Sequence, residues 1–388
     1  MSIDVVLCKK AKDFNNFLRV PFQLYQQNEN WVPPLHYTVK HILDKKNPFY
    51  KSAQINHWIA YRKNQPVGRV SCIINQLHNT LYNEKVAFWG FFEAENSNEV
   101  SEALFAQVEQ WALQQGMDTL RGPMNPSINY ECGLQISAFD SKPYIMMPQN
   151  PEYYVQLVEQ QGYKKIKDLQ AWSVDIKQVK IEPQKINLMR ALQKRYEIIV
   201  RPADVKNFTE ELKLIVAIYN DAWSQNWGYL PLDLDEFVYL VSDLKTFIDP
   251  NLVYFAEVAG EPCGFSIAIP DLNQVLIKIR NGKLLPFNFL KLLWQLKVKK
   301  TINRIRIPLL GVLQKYQHLP VGGLLYYEYF RKIDQFNYQQ GEFSWILEDN
   351  KAMQTGLEFV NATHYKTYRV YEKSLRLNQK FLITGSEK

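Results

Sequence analysis

Between Leu272 and Tyr327 the chain has no aspartate and no glutamate, yet Lys278, Arg280, Lys283, Lys291, Lys297, Lys299, Lys300, Arg304, Arg306 and Lys315 all fall inside that span. Such a one-sided stretch, in a chain of net charge +7, implies an anionic partner for this region. Cysteine is scarce: Cys8, Cys72, Cys132 and Cys263 lie far apart, which argues against a disulfide framework and against paired zinc ligands. His36, His41, His57, His78, His318 and His364 share no ligand spacing, so no metal is expected. Apolar runs stay short of the roughly 20 residues that span a bilayer. The start MSIDVVLCKKAKDF has no apolar signal core, and the expected location is cytoplasmic. A Gly-x-Ser-x-Gly elbow and a Gly-Lys-Ser loop are both missing.

What is present is a well-cored chain of 388 residues, 46% hydrophobic and 14% aromatic, long enough for two domains. HWIAYRKNQPVGRVSCIINQ (57–76) reads as a β-hairpin turning at Asn64-Gln65-Pro66, and NLVYFAEVAGEPCGFSIAIP (251–270) as a second one turning at Gly260-Glu261. Each is followed by a helical pattern, at 97–117 and 321–341, and each helix leads into a strand, DTLRGPM or EFSWILE. Two matching halves of alternating β and α elements imply two α/β domains of one kind. The charged stretch around 180–200 separates them. The expected division is therefore an N-terminal domain over 1–180, a linker over 181–200, a C-terminal domain over 201–376 and a tail over 377–388.

The order of these elements resembles the GNAT N-acyltransferase superfamily, and in particular a group of bacterial tandem-GNAT proteins. The second half carries a hairpin, the strand LLGV, a loop, a helix, SWILEDN, a short helix and the final strand pair HYKTYRVYEK. The first half carries RGPMNPSINYECGL (121–134), which looks like a signature of that group, with PFQLYQQNENWVPPL (21–35), MMPQNPEYY (146–154), GYKKIKDLQAW (162–172) and NDAWSQNWGYLPL (220–232). The implied fold is α/β (α+β): two GNAT-like domains, each a mixed, mostly antiparallel twisted sheet flanked by helices. The implied chemistry is acyl transfer from acyl-CoA or acetyl-CoA to a primary amine held at the interdomain cleft, without a metal.

The resemblance also implies where the donor lies. The loop after the fourth strand of such a domain turns backbone N–H groups toward the CoA pyrophosphate at the start of the next helix. Here the loop reads Gln317-His318-Leu319-Pro320-Val321-Gly322, followed by Gly323, with Pro320 where the family has its first glycine. Proline lacks an N–H, so one contact is expected to be lost, at about 1–2 kcal/mol. Leu310, Gly311 and Val312 of the fourth strand would offer an N–H to the thioester carbonyl, and Asn350 matches an asparagine that contacts pantetheine. The first half instead has EAENSNEVSE (93–102), where Glu93, Glu95 and Glu99 would repel a pyrophosphate. It is expected to lack a CoA site.

Glu348 and Asp349 are the candidate bases, and the alternative reading for each is a cap on the helix that follows. The family's acidic tyrosine position is Leu357, which leaves the thiolate to depart unassisted or with Tyr326 or Tyr327, both of which read equally as core. On the acceptor side stand Asn226, Trp227 and Tyr229 in SQNWGYLP, with Asn129 and Glu131 in PSINYECG; Glu131 reads alternatively as a salt-bridge partner. LLPFNFLKLLWQLKVKKTINRIRI (284–307) mixes large aliphatics with lysines in the manner of an interfacial helix, or of a helix packed on its own domain. It suits an anionic membrane, peripherally on the inner face, or a long acyl chain better than nucleic acid. Bacterial ceramide synthases, which acylate a sphingoid amine, belong to the same superfamily, so a lipid amine is one acceptor class beside a small-molecule amine. A non-catalytic acyl-CoA-binding protein is the remaining alternative.

Overall fold

The two hairpins form as the alternation requires, but each turn lies one residue earlier than expected. Strands Ala53–Arg62 and Gln65–Asn75 are joined by Lys63-Asn64, and Val253–Val258 and Glu261–Pro270 by Ala259-Gly260. All four turn residues have positive φ, the conformation of a two-residue turn whose twist matches its strands. The computed structural model describes residues 2–179, 182–242, 245–284, 287–332 and 338–376. The expected tail at 377–388 and Leu285 of the apolar stretch lie outside them.

The chain divides into two compact units, and their membership is interleaved. The first holds residues 1–168, 280–283 and 367–388; the second holds 169–279 and 284–366. The expected linker at 181–200 carries the helix Pro183–Arg195 and the start of the strand Ile198–Pro202.

In the first unit the strands run in the order Asp4–Leu7, Ala53–Arg62, Gln65–Asn75, Val86–Ala94, Thr119–Gly122, closed by residues 371–374 of the strand Thr363–Ser374. Pairing is antiparallel except between Val86–Phe88 and Thr119–Arg121. The helix Asn98–Gln114 buries Val100, Leu104, Phe105, Val108 and Ala112, the 3-4 spacing of one helical face, against a core that includes Trp89, Phe92 and Tyr154. Each such side chain contributes about 1.5–3 kcal/mol through burial.

The second unit repeats this plan. Its order is Ile198–Pro202, Val253–Val258, Glu261–Pro270, Arg304–Val312, Gln340–Leu347, closed by residues 169–175 of the strand Lys164–Asp175. The one parallel pairing joins Arg304–Ile307 to Gln340–Phe343. The helix Val321–Arg331 buries Val321, Leu324, Leu325 and Tyr329 against it. Gly264 permits the close approach of this helix: a Cβ there would lie 3.0 Å from the Gly311 carbonyl oxygen and 3.1 Å from Val321. Among the described residues no helix is long and apolar enough to cross a membrane.

Candidate active site in the second unit

Past Ile307 and Phe343 the two parallel strands part. Leu309 to Val312 continue to pair only with Glu261–Pro270, while Ile346 and Leu347 pair with Gln170 and Leu169. Leu313 donates its N–H to the Cys263 carbonyl, and hydrogen-bonding direction alternates along a strand. The N–H groups of Gly311 and Leu309 therefore face the same way as that of Leu313, and those of Leu310 and Val312 face the opening. The Val312 carbonyl accepts from Gln317 Nε2 at 3.2 Å, which ties the loop to the strand's open edge.

The loop ends at Pro320, the N-cap of Val321–Arg331, and no side chain caps this helix. The first helical bond runs from Leu324 N to the Pro320 carbonyl. The first-turn donors are thus the N–H groups of Val321, Gly322 and Gly323, so the donor that Pro320 lacks is not one of them. A Cβ at Gly322 would meet only Leu310 Cδ2, at 3.6 Å, which places the helix start beside the open strand. Gln317 and His318 are exposed on the loop before it. A helix start of this kind, bare of side chains and carrying about half a positive charge, is built to receive an anion.

The carboxylates fall at opposite ends of the split. Glu348 and Asp349 lie in the turn after Gln340–Leu347, half-buried and exposed respectively. Neither is the helix cap: the Asn350 side chain accepts from Met353 N at 3.1 Å. At the closed end, sequence reasoning missed a buried cluster. Arg306 and Glu342 face each other in register, with Arg306 Nε 3.4 Å from Glu342 Oε2. Ser344 Oγ donates to Glu342 Oε2 and accepts from Arg306 Nε, both at 3.0 Å. Glu342 is wholly buried and its Oε1 has no partner among the described residues. Burial pushes its pKa up to about 7, partly opposed by the Arg306 charge. The visible signal was an acidic residue inside the apolar strand EFSWIL.

The remaining candidates separate by unit. Trp223 packs 3.1 Å from the position of a Cβ on Gly311, so the segment carrying Asn226, Trp227 and Tyr229 leaves from a residue that covers the open strand. Tyr229 donates to Asn220 Oδ1 at 2.9 Å. Asn129 and Glu131 belong to the first unit, where Glu131 pairs with Asn125. Tyr326 is core, edge-on to Phe343 with centroids 5.0 Å apart, and Leu357 is fully buried. Burial pushes the Cys8 and Cys263 thiols up to about 12, which leaves them poor nucleophiles. Among the described residues no group of three or more His, Cys, Asp or Glu could hold a metal ion.

The first unit also has a split, after Phe88 and Arg121, and its own chain fills it. Asn125 Oδ1 accepts from Phe91 N at 2.6 Å, and a Cβ on Gly90 would fall 1.8 Å from the Met124 carbonyl oxygen. Glu93, Glu95 and Glu99 are each engaged. Glu93 is half-buried, accepting from Tyr25 and Tyr154 at 2.6 and 2.9 Å and pairing with Arg69, while Glu95 and Glu99 pair with Arg62.

No family model matches the chain. A bacterial ceramide synthase from Caulobacter vibrioides is 36% identical over 96% of this chain and 98% of its own. Protein YghO of Escherichia coli is 35% identical over 94% and 93%. The chain belongs to the bacterial tandem-GNAT family that these two proteins represent. Among solved structures, a tandem GNAT protein from the clavulanic acid biosynthesis pathway aligns over 96% of this chain and 99% of its own with a TM-score of 0.56, at 10% identity. A GCN5-related N-acetyltransferase from Sphaerobacter thermophilus aligns over 96% of each, with a TM-score of 0.51 and 10% identity. These two likenesses establish the tandem GNAT fold.

Proposed function

We propose that this tandem-GNAT chain is an acyl-CoA-dependent N-acyltransferase whose second unit binds the donor. The observation that carries the reading is the open split beside an uncapped helix start. In this reading the pyrophosphate rests on the N–H groups of Val321, Gly322 and Gly323, with Gln317 and His318 alongside. Pantetheine runs past Asn350 and along Leu310–Val312. The thioester oxygen accepts from the Leu310 N–H, which is fixed before charge develops on that oxygen.

A neutral amine attacks the carbonyl carbon, the C–S bond breaks, and the thiolate of CoA departs, as its moderate basicity allows. The proton lost by nitrogen goes to the Ser344 hydroxyl as that hydroxyl passes its own to Glu342. A base works best when its pKa lies near the operating pH, a condition that Glu342 at about 7 meets. Asn226, Trp227 and Tyr229 are the acceptor-side candidates in the same unit, and Asn129 and Glu131 those of the first.

The similarity to a protein named bacterial ceramide synthase favours a long-chain amine, of the sphingoid-base class, as acceptor. The test is thiol release from acetyl-CoA and palmitoyl-CoA with a sphingoid base or a short alkylamine. Release that requires the sphingoid base supports the lipid reading, and release with the short amine alone supports a small-molecule acetyltransferase. CoA binding with no release under any pairing would leave an acyl-CoA-binding protein and sink the catalytic proposal.

A further inference from the structure

The basic segment beyond Leu284 supplies a surface that acyl transfer does not explain. The α-helix Phe287–Leu293 runs on into a π-helical turn, Trp294–Val298. Along it Phe287, Leu290, Trp294 and Val298 are 80, 64, 46 and 68% exposed, at spacings of three, four and four residues that make one stripe. At about 100° per residue, Lys291 flanks that stripe within Phe287–Leu293 and the fully buried Leu292 falls on the opposite face, while Lys297 is exposed on the wider π-helical turn that follows. Lys299 stands over the Trp294 ring, 4.4 Å from its centroid. Phe289 packs on Phe247, centroids 6.0 Å apart, and Thr301 bonds Gln295 at the far end. The segment is thus held by one face and displays the other.

We infer that this stripe docks on an anionic lipid surface, with Phe287, Leu290, Trp294 and Val298 entering the headgroup boundary and Lys291, Lys297 and Lys299 reaching lipid phosphates. Other basic residues of the region are already engaged: Arg280 bonds the carbonyls of Trp31 and Asn28, Arg304 holds Asp271, and Lys315 holds Glu261. No carboxylate lies in the surrounding sequence to satisfy the flanking lysines. Large apolar groups bordered by lysines that can extend toward headgroups are what an interfacial helix needs. A second copy on the same stripe would set like charges against each other.

The test is flotation with vesicles of mixed phosphatidylglycerol and phosphatidylcholine against phosphatidylcholine alone. It needs no turnover, so it fails or succeeds independently of the proposed reaction. The wild-type chain should co-float with the anionic vesicles only. Leu290→Ser with Trp294→Ser should lower partition at least about tenfold, and neutralising Lys291, Lys297 and Lys299 by about fivefold per lysine. Both replace exposed groups, and unchanged circular dichroism melts would show the fold intact. No co-flotation of the wild type, or equal co-flotation of the serine variant, would overturn the inference. So would a dimer in lipid-free buffer that the same two serines dissociate.

Discussion

Both units part the same two strands; among the described residues the first fills its gap with its own chain, and no corresponding bridge runs from Leu310 across the gap in the second. Three residues past the last parallel pair stand Phe91 in the first unit and Leu310 in the second. The Phe91 N–H is taken by Asn125 Oδ1; the Leu310 N–H faces the opening. One pair before the end, the first unit sets Ala87 opposite Leu120 and the second sets Arg306 opposite Glu342. A buried ion pair is weak evidence for stability, and apolar replacement is often neutral or better. Its presence at this position in the second unit, where the first has Ala87 and Leu120, makes it the pair to test for a part in the proposed chemistry. The two copies of the fold differ here through a handful of residues at the same strand positions.

The sharpest break in this comparison is to give the second unit the first unit's pair. Arg306→Ala with Glu342→Leu removes the ion pair but empties the space of one of the largest fully buried side chains, so stability should fall by about 2–5 kcal/mol while kcat falls by about 10²–10⁴. Steady-state rates and chemical denaturation check the two halves. Full activity in the double variant would remove Glu342 from the mechanism. Glu348→Gln, at the other end of the split, should cost less in kcat, and the reverse order would move the base there.

The glycines come next. Gly90→Ala puts a methyl group into the Met124 carbonyl and should destabilise by about 3 kcal/mol or more. Gly322→Ala, with only an ordinary contact at 3.6 Å, should stay within about 1 kcal/mol of wild type. Denaturant midpoints measure both, and equal losses would mean that the two splits are equally filled. Asn125→Ala leaves the Phe91 N–H unsatisfied and should cost about 1–3 kcal/mol with kcat unchanged.

The smallest effect is in pH. Glu342 is raised from 4.5 to about 7 by burial, so its contribution to stability is full below pH 4.5 and is lost as pH rises through about 7. His57, half-buried in the first unit, is lowered from 6.5 to about 4 by desolvation and then by the Arg69 charge. Its contribution is full above pH 6.5 and is lost as pH falls through about 4. Melting temperatures of the Arg306→Ala, Glu342→Leu variant should lack the decline between pH 4.5 and 7 and keep the acid-side loss.

Much of this was legible in the residues. Alternation in 57–76 and 251–270 marks both hairpins, and the run from Leu309 to Gly323 marks strand, loop and helix start. The turns were misread by one residue because Pro66 and Glu261 look like turn residues, whereas the twist selects the positive-φ pairs Lys63-Asn64 and Ala259-Gly260. The interleaving of the units was invisible, since 164–175 and 363–374 read as ordinary closing strands and pairing partners are not written locally. Asn125 and Glu342 were missed for one reason: their roles depend on the register of two parallel strands, which a single strand's pattern does not contain.

The central claim is one donor site per chain, in the second unit, and calorimetric titration with CoA, acetyl-CoA and palmitoyl-CoA tests it most directly. The account predicts one equivalent bound per chain and loss of binding in Gly322→Asp, whose carboxylate would oppose the pyrophosphate while favouring the helix start itself. Two equivalents per chain, or undiminished binding by a folded Gly322→Asp, would contradict it.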